Sequence, residues 1–459
     1  MRYNVFKLLF FIFISQQIKA NIVLPNIFTD NMVLQRNADV KMWGWANPSE
    51  EVVIKTSWDN SEYKIKGNNQ AYWEISIHTP QAGGPYNITA KGYNEVQLSN
   101  IMIGEVWICS GQSNMEMTAS WGIKNGEEEV KNANHPNIRI FTVSKAAATS
   151  PQNNLVGNWQ SCSADVMKNS SAVAYFFAQK LQQDLNGIPI GIIVSAWGGT
   201  PAEIWIPQEV IQNNKELLAS ANRLAVKEYG PNEPGRAFNA MINPLTKYKI
   251  AGVLWYQGES NVGANHYGDT LSALIGSWRN LWNYNFPFYI VQIAPYNYGE
   301  DNFDGVIIRD AQRKIPKIIP NTGIVVISDI ATIDDIHPKD KKPVGIRLAN
   351  LALSDYYKTN ATIINGPLFR EIKIHENKVA VYFDYADGLY FKNGNSNQFE
   401  ISGADGKFYP AKAFIKNNTV ILNTEKVKNP VKARYAWKNN ATADLFNNAA
   451  LPASSFLSE

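Results

Sequence analysis

Cysteine, histidine and charge are all scarce in this chain. Two cysteines in 459 residues exclude a disulfide-stapled scaffold and a multi-cysteine zinc site. Five histidines make the search for a catalytic imidazole short. Charged residues are 18% of the chain, and Lys and Arg exceed Asp and Glu by only 43 to 40. Arg2, Lys7 and Lys19 lie in the first twenty residues, which hold no acid, so the remainder balances at 40 and 40. A neutral chain lacks the summed positive field that recruits phosphate, which argues against a general binder of nucleic acid or anionic membranes. Also missing are His-Glu-x-x-His, a calcium-loop spacing and a glycine-rich phosphate loop ending in Lys-Ser/Thr, so no metal and no cofactor is expected. The 45% hydrophobic and 12% aromatic content fits an ordered globular protein, and the length suggests about three domains.

Residues 1–20 have the layout of a secretory signal peptide. Arg2 and Lys7 come first, an apolar run follows over 8–14, and polar residues lead to Ala20. That run is far shorter than the roughly 20 residues that span a bilayer, and no later stretch reaches that length. The mature chain is therefore expected to be soluble and secreted or periplasmic. In an exported chain Cys109 and Cys162 can pair; two inert buried thiols are the equal alternative, because sequence does not place their Cα atoms within bonding distance.

Hydrophobic periodicity divides the remainder. Over 21–100, short alternating runs such as Trp73, Ile75 and Ile77 against Glu74, Ser76 and His78 predict a small antiparallel β domain. From Ile101 the run becomes continuously apolar, as in a strand buried on both faces. Similar runs over 190–195, 250–256, 288–293 and 323–327 alternate with helical patterns over 171–185, 266–282 and 344–357. This predicts an α/β domain over 101–361, a parallel sheet with helices on both faces. From about residue 362 to 459 the period returns to two, which predicts a second β region.

In such a sheet, ligands bind beyond the carboxyl ends of the strands. The first buried run ends in Ser110-Gly111-Gln112-Ser113-Asn114-Met115, a strand-to-helix turn that can present the Ser113 hydroxyl. Serine needs an adjacent base to become a nucleophile; an isolated Gly-x-Ser is more often a helix cap. The second run ends in Trp197-Gly198-Gly199-Thr200, where a glycine N–H can serve an oxyanion. The third ends in Gln257-Gly258-Glu259-Ser260-Asn261, and the amide of Gln257 or Asn261 can do the same. Among the histidines, His78 and His375 fall on β regions, His135 in a connection, and His266 at a helix start. Only His337, in Asp334-Asp335-Ile336-His337-Pro338, lies past a strand end beside carboxylates. An acid on the far ring nitrogen would fix the tautomer. Three-residue spacing favours Asp334, with Asp335 as the alternative.

Together these blocks resemble the sialate O-acetylesterases, carbohydrate esterases with the SGNH-hydrolase fold. The stretch Gly104-Glu105-Val106-Trp107-Ile108-Cys109-Ser110-Gly111-Gln112-Ser113-Asn114-Met115-Glu116 is similar to the family's nucleophile block. Trp197-Gly198-Gly199-Thr200, Phe238-Asn239-Ala240-Met241-Ile242-Asn243-Pro244-Leu245, Trp255-Tyr256-Gln257-Gly258-Glu259-Ser260-Asn261 and Ile336-His337-Pro338 follow in order. Met32-Val33-Leu34-Gln35-Arg36 with Trp43-Gly44-Trp45, and Arg434-Tyr435-Ala436-Trp437, extend the likeness across the mature chain. The resemblance implies a flavodoxin-like SGNH domain between two β-sandwich-like regions. It implies Ser113 as nucleophile, His337 as base and then acid, and Asp334 as orienting carboxylate. Oxyanion donors would be Ser113, Gly199 or Gly198, and Gln257. Asn261, Glu259 and Arg236 are candidate substrate contacts, Arg236 because a bidentate arginine suits a sialic acid carboxylate. The expected partner is an O-acetylated sugar, with acetylxylan or another glycan as the alternative substrate and an inactive glycan-binding protein as the rival class.

Overall fold

The strand that carries the first buried run is apolar without alternation because both its faces are covered. Val106 and Ile108 enter one hydrophobic core, and Trp107 and Cys109 between them enter another, as the two-residue side-chain period requires. The computed structural model describes residues 21–224, 228, 230–264, 266–299, 302–359 and 364–459. The expected export signal over 1–20 lies outside the described residues.

The strands of the central sheet are β1 (Glu95–Gly111), β2 (His135–Thr142), β3 (Trp159–Cys162), β4 (Ile190–Ala196), β5 (Gly252–Tyr256), β6 (Phe288–Val291) and β7 (Thr322–Val325). Their order is β7-β6-β5-β1-β4-β2-β3, parallel throughout except for the edge strand β3. The chain fills one side of β1 and then the other, so β1 lies at the topological switch point, where a crevice opens beyond the strand ends.

Helices cover both faces. On one, α2 (Ala172–Asp184) packs against α6 (Lys341–Asp355). On the other, α4 (Tyr267–Trp282) packs against α5 (Asp304–Ile318). Ser171 caps α2 by accepting the Ala174 N–H at 3.2 Å. Trp255 of β5 meets Trp205 and Trp278 edge to face at 6.3 and 6.1 Å, and each such buried ring contributes roughly 1.5–3 kcal/mol. Helix α5 is an addition to the elements expected from the sequence; its buried face mixes Val306, Ile308 and Ile315 with Arg309, Gln312 and Arg313. Among the described residues no helix is long and apolar enough to cross a membrane.

Antiparallel sheets flank this core at both ends. The period change at Ile101 falls inside β1, whose first half pairs with the N-terminal strand Gly83–Lys91 and whose second half lies in the central sheet. The N-terminal core is therefore continuous with one face of that sheet. Gln35 and Arg36 fasten it further, both bonding Glu105 on β1. The C-terminal region has two four-stranded antiparallel sheets around a core of its own. It reaches the central sheet where Ser454 accepts from Gln292 Nε2 at 2.8 Å and Asn439 accepts from Arg309.

Cys109 and Cys162 are free and buried. They sit on β1 and β3, three strands apart, which at about 4.8 Å per strand leaves roughly 14 Å between them, beyond disulfide reach.

Candidate active site

The turn that presents Ser113 is fixed from both neighbouring strands. Gln112 N–H donates to Tyr256 O at 3.0 Å, and Trp197 N–H donates to Gly111 O at 3.1 Å. Gly111 has φ +137°, and a Cβ there would lie 2.1 Å from Tyr256 O, so only glycine permits this approach. The Gln112 side chain accepts the N–H of Ser260 at 3.1 Å. Ser113 then opens the short helix α1 (Ser113–Glu116), and as a first-turn residue its N–H has no carbonyl within that helix to receive it.

His337 reaches this hydroxyl from the loop after β7. Its Nε2 lies 2.8 Å from Ser113 Oγ, across 224 residues of sequence. Burial, and then the cation of Lys341, lower the His337 pKa, with Asp335 opposing; the imidazole is thus held in the form that accepts a proton.

The carboxylate beside it is Asp335, a correction to the preference for Asp334. Residues 332–335 close a turn in which Asp335 N–H donates to Thr332 O at 3.2 Å. Asp334 occupies the exposed corner of that turn. Asp335 Oδ1 accepts the His337 backbone N–H at 2.9 Å and stands 3.9 Å from Nδ1. The second distance is a charge contact and not a hydrogen bond.

Two oxyanion candidates are engaged elsewhere. Gly198 abuts the nucleophile, since a Cβ on it would lie 3.3 Å from Ser113 Cβ. Its N–H, however, donates to Glu116 Oε2 at 2.7 Å, while Lys145 holds the other Glu116 oxygen at 2.6 Å. Gln257 is fully buried. Its Nε2 donates to Thr200 O at 3.2 Å and to Asn261 Oδ1 at 2.7 Å, and its Oε1 accepts from Tyr267 OH at 3.0 Å. It ties strand ends together and has no amide hydrogen left for a substrate. Gly199 follows Gly198 with φ +74°.

The expected substrate contacts also change. Asn261 is buried, donating to Glu203 Oε2 at 2.9 Å and accepting the Ala202 N–H at 2.9 Å. Arg236 is neutralised by Glu233 three residues away. Glu259 is buried and accepts from Asn114 Nδ2 at 2.6 Å; burial raises its pKa. The block around Asn239 fastens the connection between β2 and β3, with Asn239 Nδ2 donating to Ala148 O at 3.1 Å. His78 and His135 stay remote, held against Asp39 and Tyr175.

A network that the sequence did not reveal lies beneath Ser113. Asn114 Nδ2 donates to Glu259 and, at 3.0 Å, to Ile336 O, while Asn114 Oδ1 accepts from Lys341 Nζ at 2.6 Å. Lys341 is 1% exposed, and burial lowers its pKa to about 7. Lys341 precedes the helical pattern over 344–357, and a lysine there gives no sequence signal of this kind.

A serine hydroxyl in hydrogen-bond reach of a histidine, at the switch point of a parallel sheet, is the arrangement of a hydrolase of the serine-esterase type. The comparisons with known proteins agree and go further. Residues 103–354 match the family described as carbohydrate esterase, sialic acid-specific acetylesterase. The chain is 30% identical to the sialate O-acetylesterases of Pongo abelii and Homo sapiens, over 89% of its own length and 86% of theirs. Its structure is similar to that of a carbohydrate acetylesterase from Xanthomonas citri, with a TM-score of 0.87 and 33% identity over 96% of this chain and all of that one. The chain belongs to the sialic acid-specific acetylesterase family of carbohydrate esterases.

Proposed function

We propose that this protein removes O-acetyl groups from sialic acids through an acyl-enzyme on Ser113. The observation that carries the reading is the 2.8 Å contact between Ser113 Oγ and His337 Nε2. Ser113 Oγ attacks the acetyl carbonyl as His337 takes its proton, and His337 then returns that proton to the departing sugar oxygen. Water activated by the same imidazole releases acetate. The Ser113 N–H and the Gly199 N–H hold the oxyanion in this reading, and Asp335 stabilises the imidazolium through space. The placement of Ser113, the Gly198-Gly199 turn, Gln257 and His337 at strand ends of one sheet supports an SGNH-hydrolase arrangement. Sialic acid as substrate is supported by the sialate O-acetylesterases it is 30% identical to.

A second reading, deacetylation of xylan or another glycan, is favoured by the Xanthomonas citri relative, which is named only as a carbohydrate acetylesterase. Acetate release measured side by side on O-acetylated sialic acid and acetylated xylan decides between them. An inert glycan-binding protein would resist labelling of Ser113 by an organophosphate. We also propose that residues 1–20 direct export, which the N-terminal residue of the mature chain, found by mass spectrometry, tests.

A further inference from the structure

A cavity of about 500 Å³ opens at the loop that follows β5, within the range of roughly 300–1,000 Å³ that suits a small ligand. Its walls come from Glu259 to Ala264 after β5, from Tyr298 after β6, and from the end of α3 (Lys215–Ala221). It lies over the carboxyl ends of the strands next to β1. Two bonds fasten its wall to the residues on either side of Ser113: Ser260 N–H to Gln112 Oε1 at 3.1 Å, and Asn114 Nδ2 to Glu259 Oε1 at 2.6 Å.

Besides Tyr298, three charged or titratable residues line this cavity. Glu259 is buried and turned to Asn114. His266 lies 3.3 Å from Asp269 at the rim, with Glu216 close to both. The third is Arg223, which is exposed and makes no ion pair or hydrogen bond through its side chain with any described residue. Its mount is firm. Asn214 caps α3 by accepting the N–H groups of Glu216 and Leu217 at 3.0 and 3.1 Å. Leu217 and Ala221 are buried beneath that helix, and Arg223 N–H continues its last turn by donating to Ser220 O at 3.1 Å. Leu224 and Val262 supply apolar wall beside it.

A guanidinium with no carboxylate partner among the described residues, on the wall of a cavity whose β5 loop is bonded to both neighbours of the nucleophile, is suited to a carboxylate brought by the substrate. We propose that Arg223 is the specificity-determining residue that binds the carboxylate of an acidic O-acetylated sugar while its acetyl group lies at Ser113. The proposal rests on the sialic acid reading above and replaces Arg236 in that role.

The test measures acetate release by the full chain and by Arg223→Gln on an O-acetylated sialic acid and on its carboxamide, which keeps the acetyl ester and loses the charge. The native protein should prefer the acid by about tenfold or more in kcat/KM, and Arg223→Gln should bring that ratio close to one. Arg223→Lys should give an intermediate ratio, because it keeps the charge without the planar fork. A native ratio near one, or the same ratio in Arg223→Gln as in the native protein, overturns the role of Arg223 and leaves the sialic acid reading standing. Absence of activity on both compounds by a protein active on acetylated xylan overturns that reading, and this proposal with it.

Discussion

Asn114 and Lys341 meet at 2.6 Å, Oδ1 to Nζ, in the interior directly beneath the candidate nucleophile. The same carboxamide holds Ile336 O, one residue before His337. A single side chain thus joins the Ser113 turn, the His337 loop and the start of α6, and the Ser-His distance depends on it.

Removing that tie should separate chemistry from binding. Asn114→Ala leaves Lys341 Nζ, Glu259 Oε1 and Ile336 O without their partner, at a cost of roughly 1–3 kcal/mol for each group left unsatisfied. We expect a lower melting temperature and a kcat reduced about tenfold or more with KM little changed, since small misplacement of reacting groups is costly. Steady-state kinetics with thermal unfolding checks both. A proportionate rise in KM at unchanged kcat would contradict the positioning role.

Ser113→Ala and His337→Ala should each lower kcat by several orders of magnitude. The double variant should be scarcely worse than either, because groups that act as a unit are not additive. Single-turnover acetate release on the three proteins measures this; near-normal turnover by Ser113→Ala would sink the acyl-enzyme.

The two neighbouring aspartates should respond differently. Asp334→Asn changes an exposed turn corner and is expected to stay within about twofold of the native rate, as surface substitutions generally do. Asp335→Asn keeps an acceptor for the His337 N–H but removes the charge 3.9 Å from Nδ1. It should lower both kcat and the kinetic pKa of the base. Equal losses in the two variants would argue against Asp335.

Activity should fall as pH drops through a His337 pKa that burial and Lys341 depress below the ordinary 6.5. Lys341→Met removes the cation and should move this acid limb upward; a limb that stays or moves down refutes the coupling. Stability gives a second reading. The Lys341 pKa is about 7 when folded and 10.5 when unfolded. Between those values the unfolded chain binds more protons, so this group makes stability rise with pH across that window. The difference in melting temperature between the native protein and Lys341→Met should change with pH there and level off below it.

Gln257→Ala should act on stability before rate. Thr200 O loses its amide donor, and Asn261 Oδ1 and Tyr267 OH each lose one bond while keeping those to Ala202 N–H and Gln257 O, so a clear fall in melting temperature is expected. The folded enzyme should retain activity within about tenfold, where loss of an oxyanion donor costs about 10² to 10³.

The sequence alone determined the sheet, the order of its blocks and the Ser-His pair. Continuous burial along β1 and four-residue spacing in α2 are local patterns, and so few histidines left His337 as the only one both past a strand end and beside carboxylates. Tertiary structure decided the partners. A turn over 332–335 put Asp335 rather than Asp334 at the imidazole. Glu116 took the Gly198 N–H, and an interior network took Gln257 and Asn261. Lys341 and Arg223 gave no signal, because a charged residue outside any motif reads as solvated until the fold shows which atoms surround it. Burial leaves a periodic trace along the chain, whereas the choice of a polar partner across two hundred residues depends on a few ångströms of loop closure.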